Sequence, residues 1–263
     1  MPLSLQTYPT VTAANAALAF GGRYLGGGTL AVRAANEGEL SFDTLVRSTD
    51  AQLTAIDISG SNARLGASVT MAAVARHKGL GTIAQAARAV GGPAIRNMAT
   101  IGGNLFAPAP YGDFTVALLA LGATVETDDE AMDIGQFLLV REKLKGIVTG
   151  VRLTLPIEGT FRFLKVSRIK PKGVSVLSIG ALIERDAGET VTSARIALGC
   201  MADRPIRAKK AEDALVDAKL TGDGVAKAVE AVTDGIRPIT DPIASEWYRR
   251  EVLPVHFRRL LLA

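Results

Sequence analysis

The sequence predicts an α+β protein in two parts, the second a smaller antiparallel sheet with helices. Three observations carry this. The first half alternates short strands and alanine-rich helical runs around two glycine clusters, Gly26-Gly27-Gly28 and Gly102-Gly103. The second half places its strands in a meander and its helices afterwards, the order expected of α+β chains. Pro156 to Gly159 lies between them and reads as a joint.

The 263 residues suffice for one large domain or two modest ones. Hydrophobic residues make up 48% and charged residues 21%, a composition that excludes disorder. Basic residues number 30 against 26 acidic, with the two signs interspersed. The basic pairs Lys209-Lys210, Arg249-Arg250 and Arg258-Arg259 fall in helix-like runs and read as solvated faces, not a nucleic-acid surface. The single cysteine, Cys200, excludes an intrachain disulfide and a cluster held by this chain's thiolates alone. No signal-peptide pattern and no long uncharged apolar run occurs, so the expected location is cytoplasmic, without a membrane span.

In chain order, Thr10 caps a helix over 11–20 that stops at Gly21-Gly22. Arg23 to Leu25 is a short strand leading into the first glycine turn. Asn36-Glu37-Gly38 reads as another loop, so these glycines are not expected to open a helix as in a standard dinucleotide fold. Strands are expected over 53–58 and 63–67 across the Gly60-Ser61-Asn62 turn. Thr70 caps a short helix over 71–76, and a second runs over 80–90. Within it, Gly79 to Ala84 spells G-x-G-x-x-A, but no strand precedes it, and the match is coincidental. Gly91-Gly92-Pro93 ends that helix and opens a loop through the second glycine pair. A helix over 114–121 follows, then strands over 123–127 and 147–155. Beyond the joint, strands are expected over 161–166, 174–183 and 191–198, and helices over 208–216, 225–232 and 245–262. The last is open to interruption at Pro254, which lacks a donor.

His77 and His256 are isolated and no carboxylate sits at ligand spacing from either, so no metal site is expected. No G-x-S-x-G elbow and no G-x-x-x-x-G-K-[ST] loop occurs. What remains is ligand binding by glycine loops. Glycine lets a backbone take positive φ and approach a ligand closely, and successive N–H groups in such a turn form an anion nest. Thr29 and Thr100 add hydroxyls, Asn104 both donates and accepts, and the Asp113 carboxylate suits sugar-like hydroxyls. The residues alone fit two readings: two loops closing from opposite sides on one phosphate-bearing ligand, or tight turns with Asp113 as a helix cap.

Ile95 to Leu105, reading IRNMATIGGNL, resembles the second flavin motif of the FAD-binding medium subunits of molybdenum hydroxylases, the xanthine dehydrogenase and carbon monoxide dehydrogenase type. Leu25-Gly26-Gly27-Gly28-Thr29 resembles the first. The segments 65–70, 147–151 and 245–250 fit at the family's spacing. The resemblance implies a two-lobed PCMH-type FAD-binding domain over 1–157, with lobes of about 1–55 and 56–157, and a C-terminal domain over 158–263. It places the FAD pyrophosphate on the backbone of Tyr24, Leu25, Gly26, Gly27, Gly28, Thr29, Leu30 and Ala31, and of Thr100, Ile101, Gly102, Gly103 and Asn104. Asp113 falls at the ribityl or ribose hydroxyls, Gly91 at a close approach to the cofactor, and Val148 and Lys165 near the isoalloxazine ring. On its residue alone, Lys165 reads equally as a solvated strand lysine.

The chain departs from the pattern at Leu30, where the family carries aspartate. It also departs at 168–173, which lacks the acidic residues of NAD-reducing relatives and so points to a different acceptor or loop. The lone Cys200 argues against an additional cluster in this chain. No residue here is expected to be catalytic, because the flavin performs the redox chemistry. The resemblance implies an electron-transfer oxidoreductase subunit of a heterotrimer or its dimer. A large subunit would hold molybdopterin, and a small subunit two [2Fe–2S] clusters that feed this FAD and then an external acceptor. The other readings open at this level are a self-contained FAD oxidase and a non-redox binder of a phosphate-bearing ligand.

Overall fold

The computed structural model describes residues 3–39, 41–169 and 173–263. It contains three sheets and two apolar cores. The first sheet is parallel, in the order β1-β3-β2. It comprises β1 (Ser4–Tyr8), α1 (Val11–Leu18), β2 (Arg23–Tyr24), α2 (Ala31–Asn36) and β3 (Thr44–Ser48). Thr10 caps α1 by accepting from the Ala13 amide, as its hydroxyl predicts.

The second sheet is antiparallel. Its chain runs β4 (Ile56–Ser59), β5 (Asn62–Gly66), α3 (Met71–Arg76), α4 (Ala84–Ala89), α5 (Pro93–Met98), α6 (Ile101–Leu105), α7 (Asp113–Leu121), β6 (Thr124–Thr127), β7 (Ala131–Asp133), α8 (Ile134–Val140) and β8 (Val148–Thr154). The strand order is β4-β5-β8-β6-β7. The third sheet is the antiparallel meander, β9 (Phe161–Ser167), β10 (Ser175–Arg185), β11 (Val191–Gly199) and β12 (Ile206–Arg207). It is followed by α9 (Lys209–Leu215), α10 (Ala226–Ala231) and α11 (Glu246–Leu261).

Helix α7 joins the parts. Its sequence DFTVALLAL is apolar around its whole circumference beyond Asp113, and all nine residues are buried. A helix of that kind needs neighbours on every side. It packs on α4 and α6 of the first half and on β10 and β11 of the second. Gly180 lets the sheet close on it: a Cβ there would sit 3.2 Å from the Ala120 Cβ and the Val116 carbonyl. The residue preceding α7, Gly112, is left-handed at φ 91° and has no side chain to cap the helix. Asn104 of α6 supplies the missing acceptor, its Oδ1 receiving the Thr115 amide at 2.9 Å and the Thr115 hydroxyl at 3.0 Å.

Several elements differ from the sequence expectation. The first glycine cluster does open a helix, α2, because Ala31 to Ala35 are strong helix formers and Asn36-Glu37-Gly38 ends that helix instead of excluding it. The second glycine pair is no turn: Gly102 and Gly103 lie inside α6, capped by Thr100. Pro93 starts α5 where a loop was expected, fitting its preference for a first helical position. The helix expected over 80–90 shrinks to α4, preceded by a 3₁₀ turn at Lys78–Leu80. Leu53 closes another such turn, so the strand expected at 53–58 begins only at Ile56. Pro254 does not interrupt α11, which is held by buried Leu253, Phe257, Leu260 and Leu261. The short elements β1, β3, β7 and α8 had no expectation.

Candidate flavin-binding site

The two glycine segments meet along one seam, in direct contact instead of facing each other across a gap. Leu25 extends β2 by donating to the Val46 carbonyl at 2.7 Å, and the chain then turns against α5 and α6. A Cβ on Gly26 would lie 2.8 Å from Thr100 Oγ1 and 3.6 Å from the Gly103 nitrogen. A Cβ on Gly27 would overlap the Met98 carbonyl outright, so only glycine fits there.

The donors along this seam are unequally available. Within α6, the Ile101 amide donates to Val69 O at 3.0 Å and the Gly102 amide to Ala67 O at 2.8 Å. The Gly103 amide donates to Thr100 Oγ1 at 3.1 Å and the Asn104 amide to Thr100 O at 2.9 Å. Of the five amides over Thr100 to Asn104, those of Ile101, Gly102, Gly103 and Asn104 are thus engaged by the protein's own acceptors. On the first loop, no acceptor among the described residues takes the N–H groups of Gly26, Gly27, Gly28, Thr29, Leu30 or Ala31. These residues are exposed or half-buried, so the donors are accessible. They belong to the entry of α2, where Val32 and Ala34 donate back to Gly28 and Leu30. An acceptor-rich anion is what such a row of amides binds. Leu30, in place of aspartate, gives α2 no side-chain cap. Tyr24 is half-buried on β2, and burial raises its phenol, Asp50 adding to this and a hydrogen bond with the Ser48 backbone opposing it.

The other expected residues fall in three places. Gly91 has φ 52°, and a Cβ on it would meet Ile95 Cγ2 at 2.8 Å. Its carbonyl accepts from Arg96 at 2.5 Å. The α4–α5 turn thus accounts for this glycine without a ligand. Val148 is buried in the core at the start of β8, the strand on which α6 packs. Its side chain is part of the apolar interior. Asn104 is spent on α7, as described above.

Asp113 and Lys165, two candidates from opposite halves of the chain, form one buried ion pair. Lys165 Nζ donates to Asp113 Oδ2 at 2.8 Å and to the Ala89 carbonyl at 2.8 Å. Their side chains are only 9% and 8% exposed, so the reading of Lys165 as a solvated strand lysine is overturned, as is that of Asp113 as a mere cap. Ser175, which the sequence did not single out, donates to Asp113 Oδ1 at 2.6 Å and is fully buried. The separations of 52 and 62 residues leave no local sequence signal for either contact. Cys200 Sγ lies 3.6 Å from the Ser175 carbonyl, and burial, with Asp113 adding to it, pushes its thiol up to about 12. Of the segment 168–173, residues 170–172 lie outside the described residues.

A surface depression elsewhere is lined in part by Gln52, Asp57, Arg64, Glu126 and Arg152. There Glu126 pairs with Arg64 at 2.8 Å and with Arg152. Among the described residues no group of His, Cys, Asp or Glu is disposed to hold a metal, and no helix is long and apolar enough to cross a membrane.

The seam, with its row of amides that no described residue accepts from, lies on an α+β body followed by an antiparallel sheet with helices. The comparisons with known proteins give the class its identity. Residues 3–153 match the FAD binding domain in molybdopterin dehydrogenase, and residues 162–263 match the CO dehydrogenase flavoprotein C-terminal domain. The chain belongs to this family of FAD-binding medium subunits of molybdenum hydroxylases. It is 30% identical over 178 residues to the glyceraldehyde dehydrogenase medium chain of Sulfolobus acidocaldarius, a match covering 65% of this chain and 63% of that one. It is 29% identical over 190 residues to the nicotinate dehydrogenase FAD-subunit of Eubacterium barkeri, covering 68% and 64%. The matches thus span somewhat less than two thirds of these relatives. The fold is that of a chain in carbon monoxide dehydrogenase from Hydrogenophaga pseudoflava, with a TM-score of 0.90 at 21% identity over 99% of this chain and 96% of that one.

Proposed function

We propose that this chain binds FAD non-covalently and serves as the electron-transfer subunit of a cytoplasmic, heteromeric molybdenum-dependent dehydrogenase. The observation that carries the reading is the seam itself, where Gly27 packs on Met98 and the Gly26 to Ala31 amides lack protein acceptors. Those amides would hold the pyrophosphate, with Thr29 adding its hydroxyl. Thr100, Ile101, Gly102 and Gly103 would shape the wall, their glycines keeping it flat against the first loop. Lys165 and Asp113 would stand at the edge where the two halves meet, Lys165 supplying positive charge held in place by the carboxylate. FAD supplies the redox chemistry when bound. The protein's part is to position it, exclude water and set its electrostatics, which agrees with a site that has no acid–base pair for substrate chemistry.

The partners proposed are a molybdopterin-binding large subunit and a small subunit with [2Fe–2S] clusters, in a heterotrimer or its dimer. We also take 1–157 and 158–263 as the two domains. Purification from native cells under mild conditions tests the assembly. Recovery with a molybdenum-containing chain and an iron–sulfur chain is expected. Recovery of the chain alone, with FAD and full dehydrogenase activity, would instead make it a self-contained oxidase.

A further inference from the structure

The hydrogen bonds around Asp113 cross from one half of the chain to the other. Asp113 opens α7, whose N-terminal end favours a carboxylate. Its two oxygens are taken by separate strands of the second half, Oδ2 by Lys165 of β9 and Oδ1 by Ser175 of β10. Lys165 in turn holds the carbonyl of Ala89, the last residue of α4, four residues thereby being tied at one point of the junction between the halves. The same end of α7 is tied to α6 through Asn104 and Thr115, and α6 with its cap Thr100 forms the wall against which Gly26 lies. A continuous chain of contacts therefore runs from the glycine seam through α6 and α7 to Ser175.

We propose that Ser175 is a positioning residue for the cofactor site, acting through Asp113: its hydroxyl fixes the carboxylate in the orientation that holds the Lys165 ammonium against the first half. The inference rests on the FAD reading above. Ser175 and Lys165 each hold one oxygen of this buried carboxylate, so that it is gripped from two strands at once. Removing the Ser175 donor leaves Oδ1 buried without a partner, and the carboxylate then turns toward whatever donor it can reach, carrying Lys165 with it. A hydroxyl acting only through one carboxylate must lose its effect when that carboxylate is replaced.

The test is a double-mutant cycle on FAD affinity in the full chain, read by quenching of flavin fluorescence during titration with FAD. Ser175→Ala is expected to weaken FAD binding by roughly tenfold, the range for losing a hydrogen bond to a charged group. Made on an Asp113→Asn background, the same change is expected to alter affinity by less than about twofold. Ser175→Thr, which keeps the hydroxyl, is expected to restore most of the affinity. Equal losses in both backgrounds, or no loss in either, overturn the proposal, the first because it marks a packing effect independent of Asp113. If Ser175→Ala fails to fold by near-ultraviolet circular dichroism, Ser175→Cys carries the same cycle, and an additive loss there overturns the proposal equally. A wild-type chain that takes up no FAD overturns the functional reading, and this inference with it.

Discussion

At the scale of single residues, glycine at 27 is set by the backbone of a neighbouring segment. Gly27→Ala forces its Cβ into the Met98 carbonyl, and overpacking of this kind costs about 1–3 kcal/mol. The melting temperature is expected to fall and the seam to open, whereas Gly21→Ala, where a Cβ meets nothing, is expected to leave the seam intact. Lys165 shows the opposite case, a residue whose role depends wholly on a distant partner. Lys165→Met leaves the Asp113 carboxylate buried with one of its two donors, and breaking a buried pair costs on the order of 3–5 kcal/mol. Denaturant melts of the apoprotein measure this, and a loss as small as that of an exposed pair would mean the carboxylate reaches water. Cys200, with its thiol pushed up to about 12 by burial, holds almost no thiolate at neutral pH. It is expected to resist a thiol reagent in the folded chain and to react promptly once unfolded.

The element scale explains which parts of this fold were legible in the sequence. The helix caps at Thr10 and Thr70 carry their own local mechanism, and each accepts the amide expected of it. In the second-half meander β9 was legible from alternation, whereas β10 and β11, each buried over a run of consecutive residues, were legible from the turn residues that bound them. The short helices α2, α5 and α6 were not, since they draw their stability from packing instead of periodicity. Both glycine clusters stand out in the sequence, but the pairing of their amides does not. Sequence shows where amides could form a nest and does not show which ones Val69, Ala67 and Thr100 already occupy.

Helix α11 is a further element whose anchor is invisible in sequence. Arg249 is fully buried and donates to Val176 O at 3.0 Å, Ile239 O at 2.6 Å and Asp241 Oδ2 at 2.8 Å. Burial alone would raise the Asp241 carboxyl, but the hydrogen bond and charge of Arg249, with the Ala244 and Ile243 amides, outweigh it and hold the group below its ordinary 3.8. A carboxyl with a depressed folded pKa contributes stability that is present above its unfolded value and lost as pH falls through the folded one. The melting temperature is therefore expected to drop between about pH 5 and pH 2, and Asp241→Asn to flatten part of that drop. An unchanged acid profile in Asp241→Asn would show that other carboxylates dominate.

At the scale of the whole molecule, α7 makes two matched segments into one body. It belongs in sequence to the first half, yet it is buried against the sheet of the second and fastened there by the Asp113 pair. The cofactor site proposed along the glycine seam is thus mechanically joined to the C-terminal domain. The buried polar contacts of Asp113, Lys165, Ser175 and Thr115 gather at this one junction. The chain's role would be to hold a flavin in a fixed frame between partner subunits.

Equilibrium titration of the purified full chain with FAD tests this most directly, with flavin fluorescence as the readout and Gly27→Ala run beside the wild type. The account predicts saturable, non-covalent uptake of a single FAD by the wild type, released on acid precipitation, and affinity lost in Gly27→Ala. A wild-type chain that leaves FAD fluorescence unchanged at saturating FAD, or a Gly27→Ala chain that binds as tightly as wild type, would contradict it.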